Sequence, residues 1–65
     1  MRNRVMLRTK DGELHVLAGY AYKVQETVNQ ARGGGKLIAL ERDVIPTGQM
    51  VYVDPDEVVS IKDER

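Results

Sequence analysis

Apolar and polar residues alternate singly towards both ends of the chain and recur at intervals of three and four between them. Arg4 to Thr9 sets Val5 and Leu7 on one side and Met6 and Arg8 on the other, the period of a strand. Leu14 to Leu17 repeats it, with Lys10-Asp11-Gly12-Glu13 between the two runs. Asp-Gly flanked by alternating runs predicts a hairpin closed by a type I′ turn, whose two central residues need positive φ. In that register Leu14 and Val16 lie beside Val5 and Leu7 on the buried face, and His15 points away from it.

Ala18-Gly19 ends the second strand. Leu17, Ala21, Val24, Val28 and Ala31 then form one helical stripe, with Lys23, Glu26, Asn29 and Gln30 opposite. Gly19 is the best N-cap on offer. Arg32 stands in the last turn, where the helix dipole favours a cation, and Gly33-Gly34-Gly35 supplies a left-handed residue to stop the helix. Lys36 to Glu41 is short and apolar on both sides, which predicts a central strand. Arg42 to Gly48 reads as a loop that turns at Pro46-Thr47-Gly48. Met50 to Val53 is a strand and Asp54-Pro55-Asp56-Glu57 a turn. Val58 to Ile61 is the last strand, and Lys62 to Arg65 reads as a frayed charged tail.

The fold class expected from this order is α+β: a single ββαβββ domain over residues 1–65, one helix packed on an antiparallel or mixed sheet. One helix covers one face of a sheet. The other face would carry Met6, Ile38, Leu40 and Tyr52, or their alternates. It must be polar, close into a barrel or be covered by a second subunit.

Size strengthens the last option. The 65 residues include no Cys, Trp or Phe, so the core is built from Val, Leu, Ile, Met and Ala, with Tyr20, Tyr22 and Tyr52 the only aromatics. A chain this short buries about 60% of the surface its unfolded form exposes. Such cores rarely supply more than about 3–5 kcal/mol without disulfides, metal or oligomerisation. Without cysteine, neither a disulfide nor a Cys-based zinc site is available, and self-association is the expected remedy. No run of about 18 apolar residues offers a membrane span. Met1-Arg2-Asn3-Arg4 leads straight into a strand pattern and lacks the apolar core of a signal peptide. The expected compartment is the cytoplasm.

The formal net charge is zero, but it is unevenly spread. Residues 1–36 hold seven basic and three acidic groups, and residues 37–65 hold three basic and seven acidic ones. Such asymmetry hints at an interaction surface, unless strands from the two halves interleave and mix the charges. The candidate chemistry is thin. Phosphate-binding glycines stand before a helix N-terminus, whereas Gly33-Gly34-Gly35 follows a helix end and reads as a terminator. His15 is the only histidine and Ser60 the only serine; no nucleophile elbow surrounds Ser60, and His15 reads as a surface strand residue. Asp54, Asp56 and Glu57 are too few and too closely spaced for a calcium loop and read as a solvated turn. Tyr20 and Tyr22, beside Lys23, could stack on bases but read better as closing a core or an interface.

One stretch carries a family likeness. "ARGGGKLIAL", a loop containing an arginine, then "MVYVDPDEVVSI" over residues 31–61 resembles the second half of the bacterial extracellular-matrix regulator family. These are small DNA-binding regulators that assemble into rings. Ala31, Arg32, Gly35, Leu37, Ile38, Asp54, Asp56 and Val58 match in type and order. The resemblance implies DNA contacts from Arg32, Lys36 and Arg42. The family's Gly-rich opening segment is replaced here by a hairpin, and the loop holds Arg42 alone where the family's has more arginines. The tail "VYVDPDEVVSI" also looks like the ending of many short phage and bacterial proteins with no assigned activity.

Two functions compete on these grounds. The favoured one is a non-enzymatic protein-interaction module, an oligomeric accessory or regulatory protein without cofactor, catalytic or metal-binding residues. Its partners would be a second copy of itself and an unidentified protein. The alternative is a ring-forming DNA-binding regulator acting through Arg32, Lys36 and Arg42. A net basic footprint is usual for nucleic-acid domains, and this chain lacks one.

Overall fold

The computed structural model describes residues 4–64. Five strands form two antiparallel sheets, with one helix packed against them. Strands β1 (Arg4–Thr9), β2 (Leu14–Ala18) and β5 (Val58–Glu64) form the larger sheet in the order β2-β1-β5. Strands β3 (Ile38–Glu41) and β4 (Met50–Val53) form the smaller one. Helix α1 (Ala21–Ala31) joins β2 to β3, and a single 3-10 turn at Pro55–Glu57 joins β4 to β5. The α+β class and ββαβββ order therefore hold, with two antiparallel sheets in place of one. They touch at one bridge, Leu17 to Arg42, supported by the Asp43 N–H donating to the Val16 carbonyl at 3.0 Å. β3 is thus not a central strand of a continuous sheet.

The core gathers Val5, Leu7, Leu17, Val24, Val28, Leu40, Val53 and Val58, with Ala21, Ile38, Val51 and Ile61 packed around it. Each strand and the helix contribute to it. Burying a Val or Leu side chain is worth about 1.5–3 kcal/mol, so these few residues supply most of the favourable energy. Ile38 and Leu40 lie on this inner side, so of the two alternations the sequence allows the structure sets them apart from Tyr52. Tyr52 alone of that predicted group is well exposed; Met6 is half-buried.

The first hairpin is real, but its turn is longer than predicted. Thr9 N–H donates to the Glu13 carbonyl and Gly12 N–H to the Thr9 carbonyl, each at 3.0 Å. The loop is therefore Lys10-Asp11-Gly12. Only Gly12 has positive φ, at 86°, and Asp11 does not, which excludes type I′. A third loop residue moves the register by one, and side chains in a strand alternate faces, so all of β2 is inverted. Val5 faces Leu17 and Leu7 faces His15. His15 is consequently half-buried on the core side, and Leu14 is exposed on the outer side.

The helix begins later than a Gly19 cap would place it. Tyr20 holds the N-cap position and makes no side-chain cap bond. The Ala21 N–H donates instead to Asp63 Oδ1 at 2.9 Å, so the cap comes from 42 residues away. Leu17, which starts the predicted stripe, belongs to β2; Val24 and Val28 are the residues α1 buries. At the other end Arg32 lies beyond the last turn, not within it as the sequence predicts: it is the extended C-cap residue, with φ −60° and ψ 137°. Gly33 follows at φ 79°, and Gly34 N–H donates to the Ala31 carbonyl at 3.1 Å. These are the angles of a type II turn, which requires positive φ at its third residue. Asp56 Oδ1 accepts from the Gly33 N–H at 3.1 Å and ties this corner to the 3-10 turn.

The charged tail is not frayed as far as Glu64. Lys62, Asp63 and Glu64 continue β5 and pair with Met6, Val5 and Arg4. Arg65 lies outside the described residues. The charge pattern predicts an exposed end, but β1 has a second side to satisfy, and each ladder bond to it offsets the cost of ordering the tail. Arg4 and Glu64 add an ion pair at 2.7 Å.

Candidate functional site

Two features adjoin at β4: an acidic cavity and an apolar outer face. The cavity, about 340 Å³, is lined by Thr9, Asp11, Glu13, His15, Tyr52, Val53, Asp54 and Glu57. The hairpin tip forms one wall, and the end of β4 with the 3-10 turn forms the other. Lys10 N–H donates to the Glu57 carbonyl at 2.9 Å and holds the two walls together. His15 reaches this space because of the register shift, and its Nε2 lies 3.4 Å from Glu13 Oε2.

The carboxylates are largely occupied by the chain itself. Asp11 accepts from the Thr9 hydroxyl and from the Glu13 N–H. The Thr9 hydroxyl bond, with the Glu13 N–H second, holds the Asp11 carboxyl below its ordinary range. Asp54 accepts from the Asp56 N–H at 2.9 Å and caps the 3-10 turn, which has Pro55 at its start. Asp56 faces away towards Gly33. The predicted solvated turn is thus a capped one. No group of three or more His, Cys, Asp or Glu side chains able to hold a metal occurs among the described residues.

Pairing in the β3–β4 arm sets the second feature. Ile38, Leu40, Val51 and Val53 turn inward, so Ala39 opposite Tyr52 and Glu41 opposite Met50 turn outward. Leu37 extends that outer side. Leu37 is 63% exposed, Tyr52 66% and Met50 46%. Tyr20 and Tyr22 form a separate exposed pair at the helix start, ring centroids 5.9 Å apart. They close no core. Ile45, in the loop before β4, is nearly fully exposed.

The three arginine and lysine positions implied by the resemblance do not converge. Arg32 is at the end of α1, donating to the Val58 carbonyl at 3.4 Å, and Lys36 is in the loop that follows. Arg42 lies at the far end of β3, beside Leu17. Lys36 and Arg42 are thus separated by the whole of β3, a span of up to about 20 Å along extended chain. The structure instead brings Arg4, Arg8 and Lys62 to the outer face of the larger sheet, where Arg4 also meets Glu64 and Asp43. That grouping depends on β5 running past Ile61, and residue spacing alone carries no signal for it. No family model matches the sequence, and no curated protein or solved structure matches it either. No helix among the described residues is long and apolar enough to cross a membrane.

Proposed function

We propose that the protein is a small non-enzymatic interaction module, self-associating and acting in the cytoplasm as an accessory or regulatory protein through contacts with other proteins. The observation that carries this reading is the outer side of the β3–β4 arm. Leu37, Met50 and Tyr52 stand together there in water on a chain whose own core is small. Apolar side chains scattered singly need no explanation, but grouped ones mark contact sites. The DNA-binding alternative draws less support, because Arg32 and Lys36 lie at the opposite end of β3 from Arg42 and form no single basic cluster with it, and the chain has no net basic charge. Light scattering tests the first part of the reading, with a dimer or larger assembly expected. Affinity capture from a nuclease-treated extract then tests for a protein partner. A fluorescence anisotropy titration with duplex DNA at two salt concentrations is expected to give no binding tighter than about 10⁻⁵ M near physiological salt. Submicromolar, steeply salt-dependent binding that Arg42→Ala abolishes without unfolding the chain would replace this reading with the DNA regulator.

A further inference from the structure

An edge strand leaves a row of backbone groups unpaired, and natural sheets blunt such edges with charge, proline or a bulge. Two of the outer strands here, β5 and β4, differ in this respect. β5 ends in Lys62, Asp63 and Glu64 and has a bulge opposite Arg8 and Thr9. β4 reads Met-Val-Tyr-Val and has no such device; Gly48 to Val53 is free of charge altogether. Antiparallel pairing decides which of its groups are open. Arg42 N–H donates to the Gln49 carbonyl at 2.8 Å, so residues 42 and 49 are a hydrogen-bonded pair. Bonded and non-bonded pairs alternate, so Leu40–Val51 and Ile38–Val53 are bonded pairs too. The N–H and C=O of Met50 and of Tyr52 therefore point to the free edge. Among the described residues none of these four groups has a hydrogen-bond partner.

We infer that this edge pairs with the β4 strand of a second copy, antiparallel, about a two-fold axis through Val51; the inference rests on the self-association proposed above. The occupant follows from three properties of the strand. With Val51 facing its own symmetry mate, Met50 of each copy faces Tyr52 of the other. Those are bonded pairs, so all four open groups on each strand are satisfied by its copy. A two-fold axis brings each residue near its own likeness, which charged residues oppose; the uncharged run Gly48–Val53 meets that condition and the Lys-Asp-Glu run of β5 does not. The side chains agree as well. Met50 and Tyr52 share the outer face, so the seam sets a thioether beside an aromatic ring twice and joins the two exposed faces into one. A seam of one short strand falls below the about 800 Å² per partner of a standard interface, so the dimer dissociates on dilution.

The full chain is examined by sedimentation from about 1 µM to about 1 mM, beside Met50→Pro. Proline there removes an edge-facing N–H and leaves the ladder to β3 intact. The wild type is expected to dimerise, and the variant to dimerise at least about tenfold more weakly while keeping its circular dichroism spectrum and cooperative melt. Because that variant could unfold, a second measurement fixes the register. The chain has no native cysteine, and residues facing each other across the seam lie within disulfide reach, whereas Met50 and its own copy do not. Mild oxidation of Met50→Cys mixed with Tyr52→Cys should therefore give a cross-linked heterodimer in clear excess over either homodimer. A dimer that survives Met50→Pro in folded protein, or that shows no excess of the mixed cross-link, overturns the β4 seam and leaves self-association standing. A monomer across the whole concentration range overturns both.

Discussion

The three-stranded sheet and the β3–β4 arm hold their strands differently, and the arm is the more apolar of the two. β1 is paired along its whole length on both sides, and the sheet's ends are tied by Arg4 to Glu64, by Asp63 to the start of α1, and by Lys10 to the 3-10 turn. The arm has four paired positions, meets the larger sheet at one bridge, and shows Leu37, Met50 and Tyr52 to water. Pairing of β1 along both edges makes the first a structural unit. A single paired edge and a bare apolar side make the second a place where contact can form without unfolding anything. The difference teaches that the more apolar strands are not the more firmly held ones; the number of paired neighbours decides that.

The contrast can be broken most directly by truncation. Leu7→Ala removes a fully buried side chain and is expected to cost about 2–5 kcal/mol, enough to unfold much of a domain this small. Leu37→Ala should stay within about 0.5 kcal/mol. Urea denaturation at low protein concentration checks both, and equal losses would show that the arm is no separate surface. The helix corner joining the two regions comes next. Gly33 and Gly35 have positive φ, at 79° and 71°, so Gly33→Val and Gly35→Val should each cost about 1–2 kcal/mol. Two sensitive positions are expected where the sequence suggested one, and a neutral result at both would displace the helix end. Asp63→Ala should lose about 1 kcal/mol by uncapping α1; no change in melting temperature would return this segment to the status of a loose tail.

The smallest effect lies at the hairpin tip. The folded Asp11 carboxyl titrates below its unfolded value, so its contribution is complete above the unfolded value and is lost as pH falls through the folded one. Wild type and Asp11→Asn should therefore differ most near neutrality and converge as pH drops from about 4 towards 2. A melting-temperature difference that is flat over that interval would remove Asp11 from the account of how the tip is held.

Much of the arm could be read locally. Met50 to Val53 is bounded by Gly48 and Pro55 and reads as a strand, but its alternation left open which side carries Tyr52, and pairing with β3 decided it. The candidate cations could not be placed in the same way, because whether Arg32, Lys36 and Arg42 share a face depends on how far β3 separates them. The cavity was invisible for a related reason. His15 lines it only through a turn one residue longer than Asp-Gly suggests, and Asp54 and Glu57 reach it only because Lys10 binds the 3-10 turn.

The order of elements, a helix stop at the glycine run and the single small core follow from residue periodicity, turn chemistry and length, which act over a few neighbouring positions. Tertiary structure decided the inverted face of β2, the extension of β5 to Glu64, the cap from Asp63 and the parting of the strands into two sheets. Each is a choice between local states of nearly equal energy, settled by a partner distant in sequence: β1 for the tail, the helix start for Asp63, and the core for the side of β2 that carries Leu17.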